Sequence, residues 1–110
     1  MALFRVAGLP DSALAAAAAF HAAILPQLPI GDETLTLVFP AADPSHHNWR
    51  LALVQALARQ QAPRRINLVV SNSEAAIAEA AAYLETAEAI TGQMLILDSA
   101  GGDAVLPSPA

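Results

Sequence analysis

The chain contains no cysteine and no lysine. Without thiols it can build neither a disulfide framework nor a thiolate metal site. Its basic side chains are five arginines, set against ten acidic residues, and the formal net charge is −5. A phosphate backbone needs a basic patch, so this balance argues against a nucleic-acid partner. Charged residues make up only 14% of the chain, where a soluble domain usually carries about a quarter. No apolar run reaches membrane-spanning length without interruption. The start, MALFRVAGLPDS, lacks a basic stretch followed by a long apolar one, so no export signal or membrane partner is expected and the default location is cytoplasmic.

What the chain does have is apolar surface. Hydrophobic residues account for 55% of 110 positions. A chain this short has a high ratio of surface to volume, so not all of that material fits inside a monomer. A homo-oligomer, dimer or tetramer, or a permanent partner protein is the expectation. The abundance of alanine tempers it, because alanine is well tolerated on exposed helix faces.

The chain reads as strands alternating with helices. Leu3 to Gly8 is a short strand candidate, and Asp11 or Ser12 can cap a helix over Ala13–Leu25 that Pro26 and Pro29 stop. Thr34–Phe39 is nearly continuous in apolar and β-branched residues, as suits a strand buried on both faces, and Pro40 ends it. Pro44 suits a first helical position with Asp43 as cap, and the helix then runs to about Gln61. Trp49, Leu53 and Leu57 fall at i, i+4 and i+8, with Val54 and Ala58 widening the stripe. Ile66–Val70 is the third strand. Ser71-Asn72-Ser73-Glu74 fits a capping box, with the Ser71 hydroxyl taking the N–H of Glu74. The helix it opens reaches about Ala87 and packs through Ile77, Ala80, Ala81 and Leu84. Met94–Leu97 is the last strand. Residues 1–102 then form one α/β domain and residues 103–110 a loose tail. Such alternation predicts a parallel sheet of four strands in the order 1-2-3-4, with three main helices on its two faces.

Several stretches resemble the short-chain dehydrogenase/reductase family, a Rossmann-like fold. They are Ala56-Leu57-Ala58-Arg59-Gln60-Gln61-Ala62-Pro63, then Arg65 to Val70, then Ala82-Tyr83-Leu84, and most specifically Ile90-Thr91-Gly92-Gln93 followed by Met94 to Asp98. Weaker likeness continues upstream in Val6-Ala7-Gly8, Ala22 to Pro26 and Thr34 to Pro40. The resemblance spans nearly the whole chain but only the back half of a full member, so it implies a truncated Rossmann-like domain. The family binds its nicotinamide dinucleotide on a glycine-rich turn, whose glycines let backbone approach the pyrophosphate. Here the five glycines are scattered at 8, 31, 92, 101 and 102. The family's catalytic serine position falls on Phe39 and Pro40. Its Tyr-x-x-x-Lys pair falls on Asp43 and His47, and its helical asparagine falls near Ala13. In the family the tyrosine is the general acid and the lysine lowers its pKa. The only tyrosine here is Tyr83, on another helix. No catalytic, cofactor-binding or metal-binding residue is therefore carried over, and no cofactor is expected.

Two groups of residues remain as candidates. Asp43, His46 and His47 form the only cluster with metal or acid/base potential. Neighbouring side chains point apart and further ligands are not evident, so a solvated helix cap is the favoured reading. Ser71, Asn72 and Ser73 follow the third strand, and ligands of open α/β sheets bind beyond the carboxyl ends of strands. Gly8, Pro40 to Asp43 and Asp98 would line the same edge, although helix capping alone accounts for Ser71 and Glu74. His21, among alanines, reads as a surface or interface residue, and Trp49 as packing. Three classes stay open: a non-catalytic interaction or scaffold module, a small-ligand binder at the carboxyl edge, and an NAD(P)-dependent oxidoreductase remnant that takes its cofactor half from a partner chain.

Overall fold

The computed structural model describes residues 1–97. Four parallel strands lie in the order β1-β2-β3-β4: β1 (Ala2–Arg5), β2 (Leu35–Phe39), β3 (Ile66–Val70) and β4 (Met94–Ile96). Every residue of β2 and β3 is buried, as their unbroken apolar runs predict. The outer strands are half-exposed and short. The first strand is displaced from its expected span of Leu3–Gly8. Pairing begins at Ala2 opposite Leu35 and ends at Arg5 opposite Val38, where β2 runs into Pro40. Asp98, Gly101-Gly102 and the tail at 103–110 lie outside the described residues.

Three helical segments join the strands: α1 (Ala13–Ala19), α2 (His47–Gln60) and α3 (Glu74–Thr86). The first is the most altered from expectation. Ser12 caps it, accepting from the Ala15 N–H at 3.2 Å. After Ala19 the chain widens into a π-helical turn, Phe20–Ile24, then tightens into a 3-10 turn, Leu25–Gln27. Pro26 therefore sits inside the last turn, and the helical run ends at Leu28, whose backbone is extended. Asp43 opens a 3-10 turn, Pro44–His46, that leads into α2, as the Asp-Pro pair predicts.

The two sheet faces are covered unequally. On one face Leu35, Leu37, Phe39, Ile66, Leu68 and Val70 meet Phe20 and the α2 stripe of Leu53, Val54 and Leu57. Trp49 closes this cluster, its ring 5.9 Å from that of Phe20 and 5.7 Å from that of Phe39. On the other face Val38, Val69, Leu95 and Leu97 meet Ile77, Ala80 and Leu84 of α3. No residue of β1 joins this second cluster. Leu3, on that face, is 43% exposed.

The connection before β4 is held at its core. Asn67, fully buried, donates to the Ile90 carbonyl at 3.0 Å and accepts the Gln93 N–H at 3.1 Å. Thr91 accepts from the Ile66 N–H at 3.1 Å. Gly92 has φ +71°, and a Cβ there would stand 3.3 Å from the Cβ of Ala58. The Thr91-Gly92-Gln93 motif is thus a packing device that joins α2, β3 and β4.

Candidate functional site

Two depressions meet at the carboxyl edge of the sheet. One, of about 310 Å³, lies between the loops after β1 and β2, and Gly8, Asp11, Pro40, Asp43, His46 and Arg50 are among its walls. The other, of about 520 Å³, lies between the start of α2 and β4. Its walls include Pro44, His47, Asn48, Val70, Met94 and Ile96, and it shares Asp43, His46 and Arg50 with the first.

The polar residues singled out from the sequence are close to this edge but do not converge. Asp43 accepts the Ser45 N–H at 2.9 Å, and the Ser45 hydroxyl donates to the same oxygen. The Ser45 hydroxyl and backbone N–H hold the Asp43 carboxyl below its ordinary pKa. His46 is buried, and both ring nitrogens are engaged. The Trp49 indole N–H donates to Nδ1 at 3.1 Å. An indole can only donate, so Nδ1 is the acceptor and Nε2 carries the proton, 2.8 Å from the Asp11 carbonyl. His47 is exposed. No group of three or more metal-ligating side chains comes together among the described residues. His21, also exposed, contacts the Ala17 carbonyl through Nδ1 at 2.7 Å.

The Ser71–Glu74 cap is shifted by two residues from expectation. Ser73 is the N-cap of α3 and accepts from the Ala76 N–H at 3.2 Å. The Ser71 hydroxyl instead accepts from the Ser73 N–H at 2.9 Å and shapes the turn before the helix. Glu74, the first helical residue, reaches across to Arg5 at 2.8 Å. A serine two residues outside a helix cannot reach its first turn, and that distance explains the exchange of roles. Asn72 takes the Ala41 N–H at 3.0 Å and ties together the loops after β2 and β3. All three side chains thus serve the chain's own backbone.

These residues do not suit a nicotinamide dinucleotide. The crevice after β1 is bordered by the acidic residues Asp11 and Asp43 and by no glycine-rich turn, and Pro10 and Asp11 stand between Gly8 and the helix cap. The Ser71, Asn72 and Ser73 side-chain oxygens after β3 already accept backbone N–H groups of the chain.

The group that stands out was not a sequence candidate. Arg50, on the first turn of α2, is 5% exposed. Its Nη1 donates to the Pro40 carbonyl at 2.9 Å. The guanidinium carbon lies 4.7 Å from the centre of the Phe39 ring and 5.9 Å from that of Trp49. Nε is buried with no hydrogen-bond partner, and no carboxylate pairs with the side chain among the described residues. Burial takes the cation out of water and lowers its pKa. The signal was in the sequence: Arg50 shares the helical register of Leu53, Val54 and Leu57, so it had to face the sheet.

No curated protein and no solved structure matches the chain significantly. A family model described as "SDR-like: Short chain dehydrogenase-like protein" matches residues 4–97. With the parallel α/β sheet in place, and with Thr91-Gly92-Gln93 built into its packing, the chain belongs to this short-chain dehydrogenase-like family.

Proposed function

We propose that this chain is a cytoplasmic, non-catalytic member of its family that acts as a self-associating interaction module. The observation that carries the proposal is β1. Its outer edge has no partner strand among the described residues, and Leu3 is exposed on the half of the sheet face beside α3. An unpaired edge next to apolar surface invites a second strand. A copy related by a two-fold axis would supply it antiparallel and extend the sheet across the dimer.

The chemistry of the carboxyl edge supports the non-catalytic half of this reading. Asp43 is engaged by Ser45, His47 stands in solvent, and Phe39 is fully buried in the core. By the resemblance the family's tyrosine and lysine fall on Asp43 and His47 and its serine on Phe39 and Pro40, and these residues offer no aligned acid and base.

Sedimentation at about 10 μM should give a dimer, and Leu3→Lys should shift it to monomer without loss of helical signal. A stable wild-type monomer at that concentration overturns the assembly. Oxidation of NADH or NADPH by any member of a carbonyl panel overturns the non-catalytic reading.

A further inference from the structure

We propose that Arg50 anchors the carboxylate of a small organic acid whose apolar body lies in the groove between the start of α2 and β4. This goes beyond self-association and concerns a different surface from β1. A guanidinium carries five N–H donors, and among the described residues Arg50 meets one carbonyl, two aromatic faces and no carboxylate. A buried cation left this incomplete is costly unless something pairs with it. The chain's other two inward-facing arginines do not share the problem. Arg64 and Arg65 each donate to three oxygens of the fold.

The groove fixes the kind of anion. Val70, Met94, Ile96 and Pro44 give it apolar walls, and Arg50, which also lines it, supplies a positive charge. That pattern suits a carboxylate attached to an aliphatic or aromatic body. It does not suit a phosphate, whose charge and oxygens ask for several donors. Asp43 also borders the groove, but it is exposed and its carboxylate is held by Ser45. Asn48 and His47, both exposed, also line the groove and offer further polar contacts. Asp11 borders only the neighbouring crevice.

Trp49 provides the readout, because it is the only tryptophan and the Arg50 guanidinium lies over its ring. The full chain is titrated with hexanoate and benzoate, and in parallel with hexanamide, benzamide and inorganic phosphate. At least one acid should change the fluorescence with a dissociation constant below about 1 mM. Its amide should bind at least about tenfold more weakly, and phosphate should not displace it. Arg50→Met should abolish the response. Ile96→Glu is the independent variant. Ile96 is 58% exposed, so the change spares the core while placing a carboxylate in the groove, and it should also abolish binding. No response to either acid up to about 10 mM overturns the proposal. So does equal binding of acid and amide, equal binding of phosphate, or unchanged binding by Ile96→Glu.

Discussion

The two ends of the sheet treat arginine in opposite ways. At the amino end Arg64 and Arg65 sit just before β3, and their donors are used within the chain. Arg64 reaches the carbonyls of Glu33 and Pro29 and the side chain of Gln61. Arg65 gathers the carbonyls of Leu84, Glu85 and Ala87 as α3 ends. Those carbonyls have no intrahelical partner, and a cation at a helix C-terminus also meets the negative end of the dipole. At the carboxyl end Arg50 is as buried as Arg64, yet among the described residues it has one carbonyl and an unpaired Nε. Arg50 and Arg64 are thus alike in burial and unlike in how many of their donors the described fold uses.

Removing charge at each end should break the symmetry. Arg64→Leu leaves carbonyls without a donor, and we expect a loss of about 3 kcal/mol in urea unfolding. Arg50→Met removes an incompletely paired buried charge, and its effect should lie within about 1 kcal/mol of zero, of either sign. Equal losses in the two variants would mean that Arg50 is a structural residue after all.

A smaller effect tests the amino end alone. Gly92 has positive φ and lies against Ala58. Gly92→Ala should cost about 1–2 kcal/mol from the left-handed backbone, with a further contribution if Ala58 cannot yield. A shift of the melting midpoint close to zero would show that the β4 connection rearranges freely.

The smallest effect belongs to the carboxyl end. Hydrogen bonds from Ser45 lower the Asp43 pKa from its ordinary 3.8. The stability this provides is therefore complete above that value and fades as pH falls through the lower, folded-state value. Asp43→Asn should reduce slightly the loss of stability between about pH 5 and pH 2, measured from urea midpoints, and leave the neutral region little changed. An identical acid limb in wild type and variant would mean that the cap is not coupled to folding.

The sheet order was legible because β2 and β3 are unbroken apolar runs and because the helices between them keep a clean spacing. The segment around Phe20 was less so. Its alanines satisfy an α-helix equally well at every position, and only the packing of Phe20 and Ile24 against the sheet accompanies the wider turn. The cap of α3 was ambiguous for a similar reason: Ser71 and Ser73 are both good caps, and the loop between β3 and the helix decides which is close enough. Asp43 and His47 drew attention by residue type, whereas the structure commits the first to a turn and leaves the second in solvent. Arg50 was overlooked because the apolar stripe beside it reads as complete without it. Its place in that stripe was visible, but the lack of a counter-charge among the described residues is a property of three-dimensional neighbours.

The sequential strand order has a consequence for how the chain comes together. Ala2 pairs with Leu35, Leu35 with Ile66, and Leu68 with Met94. Each strand thus takes its immediate predecessor in the chain as a neighbour, and no pairing waits for a segment more than one crossover away. Loop closure for every step involves a short, similar length of chain. During synthesis the sheet can assemble from the amino end outward as each βαβ unit leaves the ribosome, with β2 and β3 consolidating before the last strand is complete.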